Sequence, residues 1–255
     1  MIKTLKKNQV TLFKILSVLL ALLVWQIAAM RVGMDMLLAS PVQVVIRLFT
    51  LLKEPDFLST VLFSLWRITK GYLLAFAAGV LLGVAAGRFQ VIGWFLWPYI
   101  VTIKTVPVAS FIILCLLWLD FNQLTILISF LIAFPVIYSN VLQGFKSTDP
   151  QMKELASLYR IPFSRQLFYI YLPSVKPYLL SASAVSIGMA WKAGVAAEVI
   201  GLVDGSIGER LYQAKIYFQN ADLLSWTLVI ILVCAFSEKL FVWLLKAVCK
   251  GAEKL

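Results

Sequence analysis

The sequence predicts an all-α protein that crosses a membrane about six times. Three observations point that way: 62% of the 255 residues are apolar, mean hydropathy is +0.92, and only 14% carry a charge. A soluble domain of this length cannot bury so much apolar surface, so the bilayer is the expected solvent. A formal charge of +11 would direct a soluble protein towards nucleic acid. Here the lysines and arginines cluster between apolar runs, as on a basic cytoplasmic membrane face, and no nucleic-acid partner is expected. Cys115, Cys234 and Cys249 offer neither a disulfide framework nor a metal-ligand spacing.

Six apolar runs reach roughly 20 residues, the length that crosses about 30 Å of hydrocarbon as a helix. They lie at 12–30, 67–87, 94–118, 122–143, 178–200 and 223–248. The first follows Lys3, Lys6, Lys7 and Lys14 but exceeds the roughly 7–15-residue core of a secretory signal. It is expected to be a signal-anchor helix. In the second, Gly71, Ala75, Gly79, Gly83 and Gly87 recur every fourth residue, a slowly drifting stripe on one helix face. Such a stripe lets another helix backbone approach closely, or lines a moving path. Pro98, Pro107 and Pro135 are expected to interrupt the third and fourth spans, which is tolerated at depth beside protein or a cavity. The expected division is 1–66, an N-terminal tail with the first span and an external loop, and 67–250, a core of five spans with a cytoplasmic loop at 144–177.

With the N-terminus inside, the cytoplasmic segments (1–14, 88–93, 144–177 and 238 onwards) hold 14 Lys/Arg against 4 Asp/Glu. The external segments, counting Arg67 and Lys70 at the edge of the second span, hold 7 against 7. This asymmetry fits the positive-inside rule and places both termini and the 144–177 loop in the cytoplasm.

That loop is polar and basic in a chain that is otherwise mostly apolar. In Ser147-Thr148-Asp149-Pro150, Asp149 suits a helix N-cap and Pro150 the first helical position, where no amide donor is needed. Met152, Leu155, Leu158 and Tyr159 then recur at helical spacing and give a short helix one apolar face. So short a helix is marginal alone. Two readings stand on physics: it docks into a partner, or it lies on the membrane surface anchored by Phe163, Phe168 and Tyr169. Ile161-Pro162-Phe163-Ser164 is expected to break it, Arg165–Tyr171 to add a turn or two, and Leu172-Pro173 to end that piece before the fifth span.

The order Glu154-Leu-Ala156-Ser-Leu-Tyr-Arg160, nine residues, Ile170-Tyr-Leu172-Pro173 resembles the coupling loop of bacterial ABC importer permeases. That family reads Glu-Ala-Ala, three residues, Gly, nine residues, Ile-x-Leu-Pro. Leu38-Ala-Ser-Pro41, Arg67 with Gly71, Phe134-Pro135, and Ala190-Trp-Lys192-Ala-Gly194-Val-Ala-Ala-Glu198-Val-Ile-Gly201 followed by Gly205-Ser-Ile-Gly208 narrow the resemblance to the nitrate, taurine and aliphatic-sulfonate permeases. It implies the type I importer permease fold in a bacterial cytoplasmic membrane, a separate ABC ATPase that binds ATP-Mg, an extracytoplasmic solute-binding protein, and a second permease copy. It also implies that Glu154, Ala156, Leu158, Tyr159, Arg160, Ile170, Leu172 and Pro173 form the ATPase-coupling site. Two positions depart from the pattern: Leu155 replaces an alanine and Arg160 the glycine. A left-handed turn at a residue with a Cβ costs roughly 1 kcal/mol. A differently shaped turn is therefore expected, with Arg160 a candidate ATPase contact.

Lys104, Lys192 and Glu198 are the candidate substrate-path residues, because an ionised side chain at mid-bilayer costs at least about 2.5 kcal/mol and normally faces protein or water. Two lysines near a path suit an anion. The alternatives are an interhelical ion pair for Lys192 and snorkelling for Lys104. Glu198 and Lys192 lie on different faces of one helix and are not expected to pair. Gly71, Gly79, Gly83 and Gly87 are the candidate packing positions. No phosphate-binding Gly-x-x-x-x-Gly-Lys-Ser/Thr segment, no histidine and no nucleophilic triad occur in the sequence, so no catalytic or metal site and no cofactor are expected in this chain. The rival reading is a secondary transporter driven by an ion gradient, with Glu198 as its coupling group; a membrane-embedded enzyme is the third.

Overall fold

The computed structural model describes residues 7–34 and 37–252; Lys3 and Lys6 lie outside the described residues. No strand occurs among the described residues, and the backbone satisfies its polar groups within helices, as a bilayer demands. Helices α1 (Lys7–Val32), α3 (Phe57–Arg88), α6 (Phe121–Lys146), α9 (Leu172–Gly201) and α11 (Asn220–Ala252) each contain a stretch long and apolar enough to cross a membrane. A sixth crossing is available from α4 (Gln90–Thr105) and α5 (Val108–Cys115) taken together.

The expected spans are recovered with three corrections. The third is not one run: α4 and α5 meet at 102°. Val106, with φ −69° and ψ 130°, is held extended by the proline that follows it, and the helix ends there. Pro98 and Pro135, expected to interrupt their spans, lie inside continuous α4 and α6. The second piece of the 144–177 loop does not end at Leu172-Pro173 either. The short α8 (Phe163–Gln166) and a π-helical turn at Leu167–Tyr171 run directly into α9. Pro173 falls in the first turn of α9, where a missing amide donor costs nothing.

The chain forms two compact units. The first comprises residues up to 58 and 210–229. In it, α2 (Pro41–Leu51) begins with a reciprocal capping box: Gln43 N donates to Ser40 Oγ and Ser40 N to Gln43 Oε1, at 3.3 and 2.8 Å. Arg47 of α2 forms a two-pronged pair with Asp222 of α11, the second contact at 2.9 Å, and also reaches Glu54 at 3.0 Å. Donating to Asp222 raises the Arg47 pKa. Phe57 stacks on Trp226 at 5.5 Å, and Ser225 Oγ donates to the Val44 carbonyl.

The second unit, residues 59–209 and 230 onwards, is built around α6. A Cβ at Gly79 would lie 2.9 Å from Ile137 Cγ2, one at Gly83 2.8 Å from Val141 Cβ, and one at Gly87 2.5 Å from the Phe145 ring. At Gly71 it would meet the Ile126 carbonyl. On its other side α6 meets α9: a Cβ at Gly144 would come 2.9 Å from Val175 Cα. Buried Ile112, Cys115, Leu124, Ile128, Ala193 and Ala197 join α5, α6 and α9 in one apolar cluster. Lipid tails are as apolar as leucine, so helices associate in a bilayer through close van der Waals fit, and small residues permit it.

Gly83→Val forces two methyl groups into Val141 and is expected to destabilise the protein by about 1–3 kcal/mol. Thermal unfolding in mild detergent should show the drop, whereas Gly188→Ala, whose new methyl meets nothing within 4 Å, should not lower the midpoint.

Candidate functional site

Lys104 and Lys192 come from different helices, α4 and α9, and line one cavity of about 420 Å³. The break at Pro107 creates it. Because α5 turns away from α4, Val106 and Val108 flank an opening that Leu131, Pro135 and Met189 close from α6 and α9. The walls are otherwise apolar, so the two ammonium groups are the site's only formal charges. Lys104 Nζ donates to Ser139 Oγ of α6 at 2.8 Å, which fixes one donor and leaves others for a ligand. Lys104 also borders a second cavity of about 570 Å³, with Gln143 and Lys146 further along α6.

Glu198 does not belong to this cavity. It is fully buried, and its Oε2 accepts hydrogen bonds from Ser64 Oγ of α3 at 2.8 Å and from Gly208 N at 3.3 Å. Ser64 Oγ in turn accepts from Ile207 N at 2.9 Å. Ile207 and Gly208 open helix α10 (Ile207–Ile216), so Glu198 and Ser64 satisfy amides that a helix start leaves without intrahelical partners. A Cβ at Gly208 would strike Glu198, which explains a glycine there. The glutamate and the glycines at 205 and 208 stood out in the sequence, but Ser64 and Ser139 carried no signal: isolated serines in apolar helices gain meaning only from what faces them.

The 144–177 loop forms helix α7 (Pro150–Leu158), started as expected by Asp149, whose Oδ1 accepts from Gln151 N at 2.9 Å. Met152, Leu155, Leu158 and Tyr159 are 45, 48, 75 and 74% exposed, and Glu154 and Arg160 are exposed beside them. Ala156 alone on this helix is buried, at 1%. Ile170 and Leu172 are half-buried and Pro173 is exposed where the loop enters α9.

Arg160 does not reshape the turn. It adopts the left-handed conformation itself, with φ +52°. Ile161 N donates to the Ala156 carbonyl at 2.9 Å and Arg160 N to the Ser157 carbonyl at 3.1 Å, the paired bonds of a Schellman helix stop. The surrounding hydrogen bonds hold the arginine where a glycine would sit without strain.

A family model for binding-protein-dependent transport system inner membrane components matches residues 77–250, which includes the loop, the cavity and Glu198. A putative aliphatic sulfonates transport permease of Bacillus subtilis is 27% identical over 88% of this chain and 81% of its own length. A nitrate import permease of Synechococcus elongatus is 30% identical over 76% of this chain and 72% of its own. A taurine transport system permease of Escherichia coli is 27% identical over 83% of this chain and 78% of its own. The chain belongs to the binding-protein-dependent transport inner membrane component family, the multi-pass permeases of ABC importers.

Proposed function

We propose that this permease forms the path by which a small organic or inorganic anion is imported, and that a separate ATPase drives it through α7. One observation carries the coupling: α7 presents four apolar side chains beside Glu154 and Arg160 with no cover of its own. Leaving such a face in water is unfavourable, and a groove on a partner subunit would bury it. The nucleotide, with its Mg²⁺, binds to that partner. Both chain termini and α7 face the cytoplasm, and two permease copies each offer one α7.

The cargo's sign follows from Lys104 and Lys192. Two ammonium groups sharing a small cavity with no carboxylate in its walls repel a cation and attract an anion, most strongly in a low-dielectric surround. The Lys104-bordered second cavity, with Lys146 along it, offers the same sign of charge further on. Relatives named for sulfonates and nitrate support the assignment, and taurine, named for another, carries the same sulfonate group beside an ammonium. A solute-binding protein delivers the anion from outside. The ion-gradient alternative relied on Glu198, which fastens the start of α10 outside the cavity.

ATP-driven closure of the ATPase pair moves α7 and swings the cavity between its two openings. Glu154→Lys is expected to leave the chain inserted in the membrane but to abolish co-purification of the ATPase subunit in mild detergent. Retention of that subunit and of ATP-driven uptake would overturn the coupling site.

Lys104→Gln and Lys192→Gln should each raise the KM for anion uptake by about tenfold, the cost of one charge-assisted hydrogen bond. Uptake assays with nitrate, taurine and methanesulfonate would read it, and an unchanged KM for a transported anion would remove that lysine from the path. Arg160→Gly relieves the left-handed strain and should stabilise the loop by about 1 kcal/mol, seen as slower amide exchange at Ile161. Uptake should nonetheless fall in Arg160→Gly and Arg160→Ala alike; normal uptake in Arg160→Ala would take the guanidinium out of the ATPase contact.

A further inference from the structure

A short helix that docks on a motor can move the cavity only if its displacement is not lost on the way. Between α7 and α9 lie the left-handed turn at Arg160, the extended Ile161-Pro162 and the π-helical turn at Leu167–Tyr171. Three irregular pieces in series form a natural hinge. Left to themselves, they would absorb a push on α7.

The hinge is bridged from the side. Phe145, at the end of α6, stacks on Tyr171 at the end of the π-helical turn, with ring centroids 3.9 Å apart and planes within 5°. Both rings are buried. Tyr171 also contacts Phe163, the first residue of α8, at 6.2 Å, and the Arg88 guanidinium at the end of α3 lies 5.1 Å from the centre of the Phe163 ring. Phe145 in turn fills the space that Gly87 leaves open on α3. The contacts therefore close a ring: α3, loop, loop, α6, α3. Gln166 Nε2 donates to the Ile161 carbonyl at 2.6 Å and pins the extended piece to α8.

We propose that Arg88, Phe163, Tyr171 and Phe145 form a clasp that transmits movement of α7 to the helices lining the Lys104–Lys192 cavity. The clasp rests on the coupling role of α7 argued above. Its geometry joins the loop to the cytoplasm-facing ends of three core helices at once. From Tyr171, α9 continues unbroken to Lys192, roughly 30 Å away at about 1.5 Å per residue. From Phe145, α6 leads back to Pro135 and Leu131 in the cavity wall. Close-packed helices shift as rigid pieces, so a displacement imposed at the clasp arrives at the cavity as a change in the spacing of its walls. The π-helical turn fits this role: it sets the Tyr171 ring under Phe145 at the start of the long α9. Arg88, Phe163, Tyr171 and Phe145 are positioning residues that touch neither cargo nor nucleotide.

The test uses the complete complex, permease with its ATPase subunit and binding protein, in lipid nanodiscs. A spin label is placed at Met189→Cys in the cavity wall, with Cys115, Cys234 and Cys249 replaced by alanine, and its mobility is compared with and without ATP and vanadate. The intact clasp should give an ATP-dependent change. In Tyr171→Ala that change should fall about fivefold or more while ATP hydrolysis stays within about twofold, the signature of lost coupling between sites. Tyr171→Phe, which keeps the ring, should restore it.

Arg88 is exposed, so Arg88→Gln does not endanger folding; it should weaken the response, and Arg88→Lys should recover it. A full response in both Tyr171→Ala and Arg88→Gln would overturn the clasp and leave the coupling role of α7 intact. So would a Tyr171→Phe chain as impaired as Tyr171→Ala. Should Tyr171→Ala fail to assemble, the Arg88 pair decides. No ATP response in the chain with its clasp intact would overturn the coupling role itself, and the clasp with it.

Discussion

Close approach of α3 and α9 to α6 is the contact on which the rest of the structure depends. In lipid there is no hydrophobic gain from bringing two apolar helices together, so the fit must be tight enough for dispersion to hold them. Gly79, Gly83 and Gly87 give α3 that fit against Ile137, Val141 and Phe145, and Gly144 gives it to α6 against Val175. The spacing of these glycines fixes which face of α6 each neighbour covers. Everything else on α6 is then placed: Leu131 and Pro135 at a cavity, Ser139 beside Lys104, Phe145 above Tyr171.

A packed bundle of this kind has no room for a solute. The opening comes from one local failure of helix geometry, the extended Val106 imposed by Pro107, which turns α5 away from α4 by 102°. A kinked crossing exposes irregular backbone, which is tolerated at depth beside protein or a cavity. The same break brings Lys104, in the last turn of α4, towards Lys192. Glu198, on another face of α9 from Lys192, is turned into the packing, where its carboxyl accepts from Ser64 and from the first turn of α10. One helix thus offers an amine to the cavity and a carboxyl to its own anchorage.

The loop works by contrast between exposed and fastened parts. The apolar face of α7 is left open while Ala156 beneath it is buried, and the chain beyond is tied to the ends of α3 and α6 by stacked rings and a cation over an aromatic face. A left-handed arginine closes the helix with the hydrogen bonds a glycine would make more cheaply. The turn tolerates a side chain because two backbone bonds hold it, so Arg160 is free to serve the surface.

Much of this was legible in the residues. Runs of apolar residues marked the spans because a bilayer sets a length that helices must meet. Asp149 and Pro150 marked the start of α7 because capping is a local interaction between neighbours in sequence. Gly79, Gly83 and Gly87 marked a packing face because helical periodicity is local too. What could not be read is whatever depends on a partner far along the chain. Of the three prolines expected to interrupt spans, only Pro107 breaks its helix, whereas the helix continues through Pro98 and Pro135. Two lysines nominated alike with Glu198 turned out to share a cavity from which the glutamate is excluded. Ser64, Ser139, Phe145 and Tyr171 stand silent in the sequence. The sequence by itself determined most of the spans, the start of α7 and the family, because length, periodicity and capping act between near neighbours; only the tertiary structure decided where the third span breaks, which charges meet, which proline opens a cavity and which rings bridge the loop, because those features depend on residues brought together by helix packing.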